Sequence, residues 1–77
     1  MITKQHAVNY IESQYAGSFF HTRYDHTLED GRYMIQVYEV NSEGFTVTYD
    51  WFYVDPTTGG DYTSMYGHVG TIPQPQG

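Results

Sequence analysis

The sequence predicts an α+β domain in which one N-terminal helix packs on an antiparallel meander of three or four strands. Residues 45–54, FTVTYDWFYV, alternate with period two and are rich in aromatic and β-branched types, as expected of a half-buried strand. Residues 3–15 carry an apolar stripe with helical spacing, formed by Ala7, Val8, Ile11 and Tyr15. Each apolar face needs cover, and each can cover the other.

Capping residues predict both ends of the helix. Thr3 is a suitable N-cap, because its hydroxyl can accept a hydrogen bond from a free N–H of the first turn. Gly17 lies one residue past Ala16 and can adopt the left-handed conformation that ends many helices. We therefore expect the helix to run over residues 3–15.

Two strand candidates precede the long strand. Residues 19–27 form the first, with Phe20, Thr22 and Tyr24 on one face. Residues 28–31 end in Asp-Gly, which is typical of a hairpin turn, and residues 32–40 form the second strand. The three strands are therefore expected to pair in chain order.

The C-terminal part is predicted to contribute one more short strand. Pro56 suits a turn directly after the long strand, and residues 61–66 would return along it. Residues 67–77 include two prolines near the end and offer few side chains to bury. We expect them to form a flexible tail, so that residues 1–66 make a single domain.

The loop before the long strand sets which of its faces meets the helix. A three-residue loop ending at Gly44 places Glu39 opposite Val47. Continued without interruption, this register gives the pairs Val37–Tyr49, Ile35–Trp51 and Tyr33–Tyr53. A four-residue loop would mix apolar and polar rows, which a one-residue slip always does. The odd-numbered residues are therefore predicted to face the helix, and the even-numbered ones the outside.

Composition narrows the classes of function. The chain has 77 residues, nine acidic against three basic side chains, and a net charge of −6. This balance argues against direct binding to nucleic acid, which requires basic groups, and permits a protein partner with a basic surface. No cysteine is present, so neither a disulfide nor a thiolate metal site is predicted. No stretch predicts a secretory signal or a membrane span.

Catalytic and metal-binding patterns are weak. No serine lies in a Gly-x-Ser-x-Gly elbow, and with no cysteine a nucleophilic enzyme is not predicted. The four histidines do not share a helical face, and residues 55–61 offer two carboxylates where calcium takes six to eight oxygens. We predict a non-catalytic protein without a cofactor or metal.

Two groups of residues are candidates for binding a partner. The turns at 28–31 and 55–61 should lie at one end of the sheet, bringing together Glu29, Asp30, Asp55 and Asp61. The outer face of the sheet should carry Asp50, Tyr38, Met34 and Phe52. Such acidic groups can steer a basic partner, and exposed apolar side chains can form an interface. Ordinary solvated turns, or a tail folded over the outer face, would account for the same residues.

Several segments resemble PepSY-like domains over residues 2–66. The resemblance rests on Ile2-Thr3-Lys4-Gln5 with Ala7 at the start of a helix, and on a long strand ending Tyr53-Val54-Asp55-Pro56-Thr57-Thr58-Gly59. It implies a helix packed on a small antiparallel sheet. It also implies a location outside the membrane and a role in binding and restraining other proteins.

Three hypotheses for function follow. The first is a PepSY-like regulatory or inhibitory module, extracytoplasmic and part of a longer protein with a signal or anchor. The second is a free-standing phage-type inhibitor, cytoplasmic if Met1 is the native start. It would act as an anti-CRISPR or anti-restriction protein that mimics DNA phosphates and blocks a basic nucleic-acid-binding complex. The third is a self-associating domain that forms a homodimer.

Overall fold

The computed structural model describes residues 1–74 and shows one helix followed by five strands. Helix α1 spans Lys4–Gln14, and the strands are β1 (His21–Thr27), β2 (Tyr33–Val40), β3 (Thr46–Val54), β4 (Gly60–Thr63) and β5 (Gly67–Thr71). The strands form one antiparallel sheet in the order β1-β2-β3-β4-β5. The predicted α+β class, with an N-terminal helix on a meander, is confirmed, and β5 adds a strand to it.

Both ends of α1 follow the capping residues. The Thr3 hydroxyl accepts a hydrogen bond from the His6 N–H at 3.1 Å, so one free donor of the first turn is satisfied. At the other end α1 stops at Gln14 with Tyr15 as C-cap, and Gly17, two residues further on, adopts a left-handed conformation with φ of +82°. The predicted boundaries are therefore correct to within one residue.

One core lies between α1 and the sheet. It is mainly aliphatic and is formed by Ile2, Ala7, Ile11, Ile35, Val37, Phe52, Val54 and Ile72. Tyr15 and Phe20 pack against its edge, where their ring centroids are 5.7 Å apart. Most of the aromatic side chains therefore lie around the core rather than inside it.

A β-bulge in β3 changes which of its side chains face the helix. The predicted loop is correct, because Gly44 has φ of +86° and Glu39 lies opposite Val47. The register then shifts between Tyr38 and Val37, and Tyr49 becomes the extra residue on β3. Beyond that point the observed pairs are Val37–Asp50, Ile35–Phe52 and Tyr33–Val54. The predicted pairs Val37–Tyr49, Ile35–Trp51 and Tyr33–Tyr53 are wrong.

The bulge has a direct consequence for the two faces of the sheet. Side chains alternate along a strand, so one extra residue moves the following side chains to the opposite face. Asp50 and Phe52 are therefore buried on the helix side, at 6% and 4% exposure, instead of lying on the outer face as predicted. Trp51 and Tyr53 take the outer positions, opposite Gln36 and Met34.

The segment after Tyr66 belongs to the folded domain. Residues 67–71 form β5, and Ile72 is buried in the core at 1% exposure. The Ile72 N–H donates a hydrogen bond to the Gly59 carbonyl at 2.8 Å, which fixes the segment against the β3–β4 turn. The prediction of a tail beginning at Gly67 was therefore wrong for residues 67–72. Residues 75–77, also assigned to that tail, lie outside the described part of the chain.

A pair of glycine substitutions tests this attachment. Gly59 and Gly44 both have positive φ, but a Cβ on Gly59 would lie 2.3 Å from the Ile72 carbonyl oxygen, whereas one on Gly44 would meet no atom within 4 Å. Gly44→Ala should cost about 1 kcal/mol from backbone strain alone. Gly59→Ala should cost about 2 kcal/mol more, because the C-terminal segment must move. Urea unfolding of both variants measures the difference, and equal losses would show that Ile72 does not pack there.

Candidate functional site

A cleft of about 300 Å³ opens between the C-terminal half of α1 and the helix-facing side of β3, β4 and β5. Its volume is at the lower end of the range for small-molecule sites. Four tyrosines and two carboxylates dominate its lining, namely Tyr10, Tyr15, Tyr49, Tyr66, Asp50 and Asp61. The combination of aromatic rings and buried acids makes it the most distinctive feature of the described surface.

The β-bulge creates one wall of the cleft. Tyr49 and the next residue, Asp50, both turn towards the helix side. The Tyr49 ring packs against Tyr15 and Phe20, with centroid separations of 6.1 and 4.5 Å. Without the extra residue, Asp50 would lie on the opposite face of the sheet from Tyr49. The cleft therefore depends on the irregularity in β3.

Asp50 is buried but well supplied with donors. Its Oδ1 atom accepts hydrogen bonds from the Ser64 hydroxyl at 2.6 Å and from the Trp51 N–H at 2.7 Å. Ser64 follows β4 directly, so this pair joins β3 to the β4–β5 turn. A buried carboxylate with such partners is an ordinary structural element.

Asp61 differs from Asp50. It lies opposite Val54 on the helix side of β4 and is 2% exposed, yet its Oδ1 atom has no hydrogen-bond partner among the described residues. Burial raises the pKa of Asp61 to about 6, although nearby His68 lowers it in part. An unpaired buried carboxylate is costly, because the charged form loses its hydration without compensation.

The cleft has a negative electrostatic character. The pKa of Tyr15 is raised, first by burial and then by electrostatic repulsion from Tyr49, Asp50 and Asp61. Each of these groups disfavours a further negative charge on the Tyr15 hydroxyl. A positively charged group placed in the cleft would be stabilised by the carboxylates of Asp50 and Asp61.

The predicted acidic end is only partly present. Glu29 and Asp30 are exposed in the β1–β2 turn, and half-buried Asp55 lies in the β3–β4 turn at the same end of the sheet. Arg32 donates to Asp30 through its Nε, at 2.8 Å, and through its backbone N–H, and the latter bond is the main reason that the pKa of Asp30 is lowered. Asp61 does not join this group, because its side chain points into the core side of β4 rather than outwards.

Asp55 has a role within its own turn. Its Oδ1 atom accepts hydrogen bonds from the Thr57 N–H at 2.8 Å and from the Thr58 N–H at 3.3 Å. Aspartate at the start of a turn commonly does this. Of the four residues predicted to form an acidic surface, one is therefore buried and two make local contacts that stabilise turns.

The outer face of the sheet is more polar than predicted. Tyr38 and Met34 are half-buried there, but Phe52 is not among them. Gln36, between them, accepts from Arg23 Nε at 2.6 Å and donates to the Thr48 hydroxyl at 2.6 Å. The Arg23 guanidinium lies over the Tyr38 ring, 4.7 Å from its centroid. These contacts give the outer face its own polar network.

Sequence reasoning missed an exposed apolar surface on the helix side, which we call the hairpin strip. It consists of Phe45, Val47 and Tyr49, which are 64%, 44% and 48% exposed. These residues were predicted to be in the core. An 11-residue helix is about 16 Å long, whereas a nine-residue strand spans about 30 Å. The helix length could therefore have shown that this end of the sheet stays uncovered.

Comparison of the chain with family models, curated proteins and solved structures finds no match. Within residues 1–74, no three histidine or acidic side chains come together as metal ligands would. No helix in the same residues is long and apolar enough to cross a membrane. The fold and site define a small α+β domain with an acid-lined aromatic cleft beside an exposed apolar strip.

The state of Asp61 makes a testable prediction about stability. The Asp61 carboxyl group holds its proton more tightly in the folded protein than in the unfolded chain, because folding raises its pKa from 3.8 to about 6. The contribution of protonated Asp61 to the free energy of unfolding is fully present below about pH 4. It is lost as the pH rises through 6, a difference of about 3 kcal/mol. Asp61→Asn should therefore stabilise the protein at pH 8 by up to that amount, and by much less at pH 4.

Urea unfolding at both pH values measures this difference. Glu43→Gln, which removes an exposed charge in the β2–β3 loop, is the matched control and should have nearly the same effect at both pH values. If Asp61→Asn also changed stability equally at pH 4 and pH 8, Asp61 would not be a strained buried acid.

Proposed function

We propose that this protein is a non-catalytic module that binds another protein with a basic surface and thereby regulates or inhibits it. The observation that carries the proposal is the hairpin strip, where Phe45, Val47 and Tyr49 remain exposed next to the cleft. Single exposed apolar residues are normal, but adjacent aromatic and aliphatic ones beside a concave site are typical of interfaces.

Charge supports the choice of partner. Nine acidic side chains against three basic ones give a net charge of −6, which attracts a basic protein and repels a second copy of this chain. In the β4–β5 turn, Tyr66 lines the cleft and is 72% exposed, and the neighbouring Met65 is 61% exposed. The resemblance to PepSY-like domains, which bind and restrain other proteins, supports the same proposal.

Mimicry of DNA receives less support from the arrangement of acids. A phosphate mimic needs an extended array of exposed carboxylates, whereas Asp50 and Asp61 are buried. Asp30 and Asp55 make contacts within their own turns. We therefore base the proposed function on the hairpin strip rather than on the acidic end.

A matched set of substitutions tests the hairpin strip. Affinity capture identifies a basic partner, and calorimetry with the purified partner then compares wild type with the double variant Phe45→Ser/Val47→Ser. We expect the double variant to bind at least about tenfold more weakly, because it loses apolar contact area. Its stability should change less than that of a core variant, since Phe45 and Val47 are 64% and 44% exposed.

Val40→Ser is the control. Val40 is 51% exposed on the same hairpin and pairs with Thr46, so it lies on the other side of the sheet from Val47. We expect binding within about threefold of wild type for this control. Equal losses in the control and the double variant would contradict the proposed surface. Dimerisation of wild type that the double variant abolishes would assign the strip to self-association instead.

A further inference from the structure

Asp61, which lines the cleft, has a buried acceptor without a partner among the described residues, and this points to a ligand. The Asp61 carboxylate is 98% buried at the boundary of the cleft, and its Oδ1 atom accepts no hydrogen bond from residues 1–74. In folded proteins the large majority of buried polar side-chain atoms have a partner. A bound group with an N–H or O–H donor would give the Asp61 carboxylate a hydrogen-bond partner.

The tyrosines around this carboxylate suit a positive charge. Tyr10 comes from α1, Tyr15 from its C-cap, Tyr49 from the bulge of β3 and Tyr66 from the β4–β5 turn. Aromatic faces attract cations, most strongly where water is partly excluded. The same rings offer apolar area for a hydrocarbon chain.

We propose that the cleft binds a primary ammonium group on an apolar stem, with Asp61 as its counter-ion and the tyrosine rings packed against the stem. A free alkylamine and the side chain of a lysine share this chemistry. The inference does not depend on the proposed function, because a free amine would occupy the cleft whether or not a protein docks on the hairpin strip.

Other ligand classes fit the lining less well. An anion would be repelled by Asp50 and Asp61, and a hard metal ion such as calcium takes six to eight oxygens. A guanidinium group binds best to the open edge of a carboxylate through two parallel hydrogen bonds. Asp61 is almost fully buried and offers no such edge, whereas a compact ammonium needs one point of contact. Rotation about the last side-chain bond of Asp61, which has a broad energy minimum, can present either oxygen.

Several charged or titratable groups surround Asp61 and bear on the pH dependence. They are Tyr10 on α1, Tyr15 at its C-cap, Tyr49 and Asp50 on β3, Tyr66 in the β4–β5 turn, and His68 on β5. The electrostatic effect of His68 already lowers the pKa of Asp61 in part, so positive charge on His68 also opposes the binding of a cation. A variant of Asp61 is therefore needed to separate the two effects.

Binding of n-butylammonium, followed by ¹H–¹⁵N NMR titration of the full chain at pH 7.5, tests the proposal. We expect saturable shifts of the amides that line the cleft, including Thr63 and Gly70, with a Kd in the millimolar range expected of such small ligands. 1-Pentanol, which has a similar stem and no charge, should bind at least about tenfold more weakly. Nα-acetyl-lysine N-methylamide is the second ligand. Tighter binding of butylammonium would indicate a free alkylamine as the natural ligand, and tighter binding of the lysine derivative would indicate a lysine side chain.

Two variants complete the test. Asp61→Asn should weaken butylammonium binding at least about tenfold, while Glu43→Gln removes the same charge outside the cleft and should leave it within about threefold. Wild-type affinity should fall about tenfold between pH 7 and pH 5 as Asp61 becomes protonated, and this fall should be much smaller in Asp61→Asn.

Two results would overturn the proposal. One is that wild type binds neither amine more tightly than 1-pentanol. The other is that Asp61→Asn and Glu43→Gln weaken binding equally, which would indicate only the overall negative charge. Because the wild-type comparison of amine with alcohol needs no variant, the proposal stays testable even if Asp61→Asn does not fold. Failure here would leave the partner-binding test of Phe45 and Val47 unaffected.

Discussion

The β-bulge at Tyr49 is the constraint on which the rest of this structure depends. It adds one residue to β3 between the hairpin end, where Glu39 still lies opposite Val47, and the core, where Ile35 lies opposite Phe52. On the core side it buries Phe52 and Val54 under α1. At the bulge itself it turns Tyr49 and Asp50 to the same side. Both the core and the cleft are consequences of that single insertion.

The elements of the fold could be predicted because their signals are local. Thr3 caps α1, and Gly44 with φ of +86° closes the β2–β3 loop, as their residue types indicate. The bulge could not be predicted, because β3 is apolar on both rows after Asp50. Trp51 and Tyr53 would fill a core about as well as Phe52 and Val54, so the alternating pattern does not choose between the two registers.

The candidate site was harder to predict than the fold, for physical reasons that differ between residues. Asp61 follows two glycines and looks like part of an exposed turn, and only its pairing with Val54 shows that it is buried. Strand β5 has two glycines and no apolar period, so its position depends on contacts such as that of Ile72 with Gly59. Glu29 and Asp30 were placed correctly, because turn residues at a sheet end are exposed in either register.

The bulge also links the two proposals about function, since Tyr49 belongs to both the hairpin strip and the cleft. The most direct test of its existence is a set of side-chain NOEs from the Ile35 methyl groups in isotope-labelled protein. The structure predicts strong NOEs to the Phe52 ring and none to the Trp51 indole, because Trp51 lies on the outer face opposite Gln36. Strong NOEs from Ile35 to Trp51, with none to Phe52, would show an uninterrupted β3 and contradict the account.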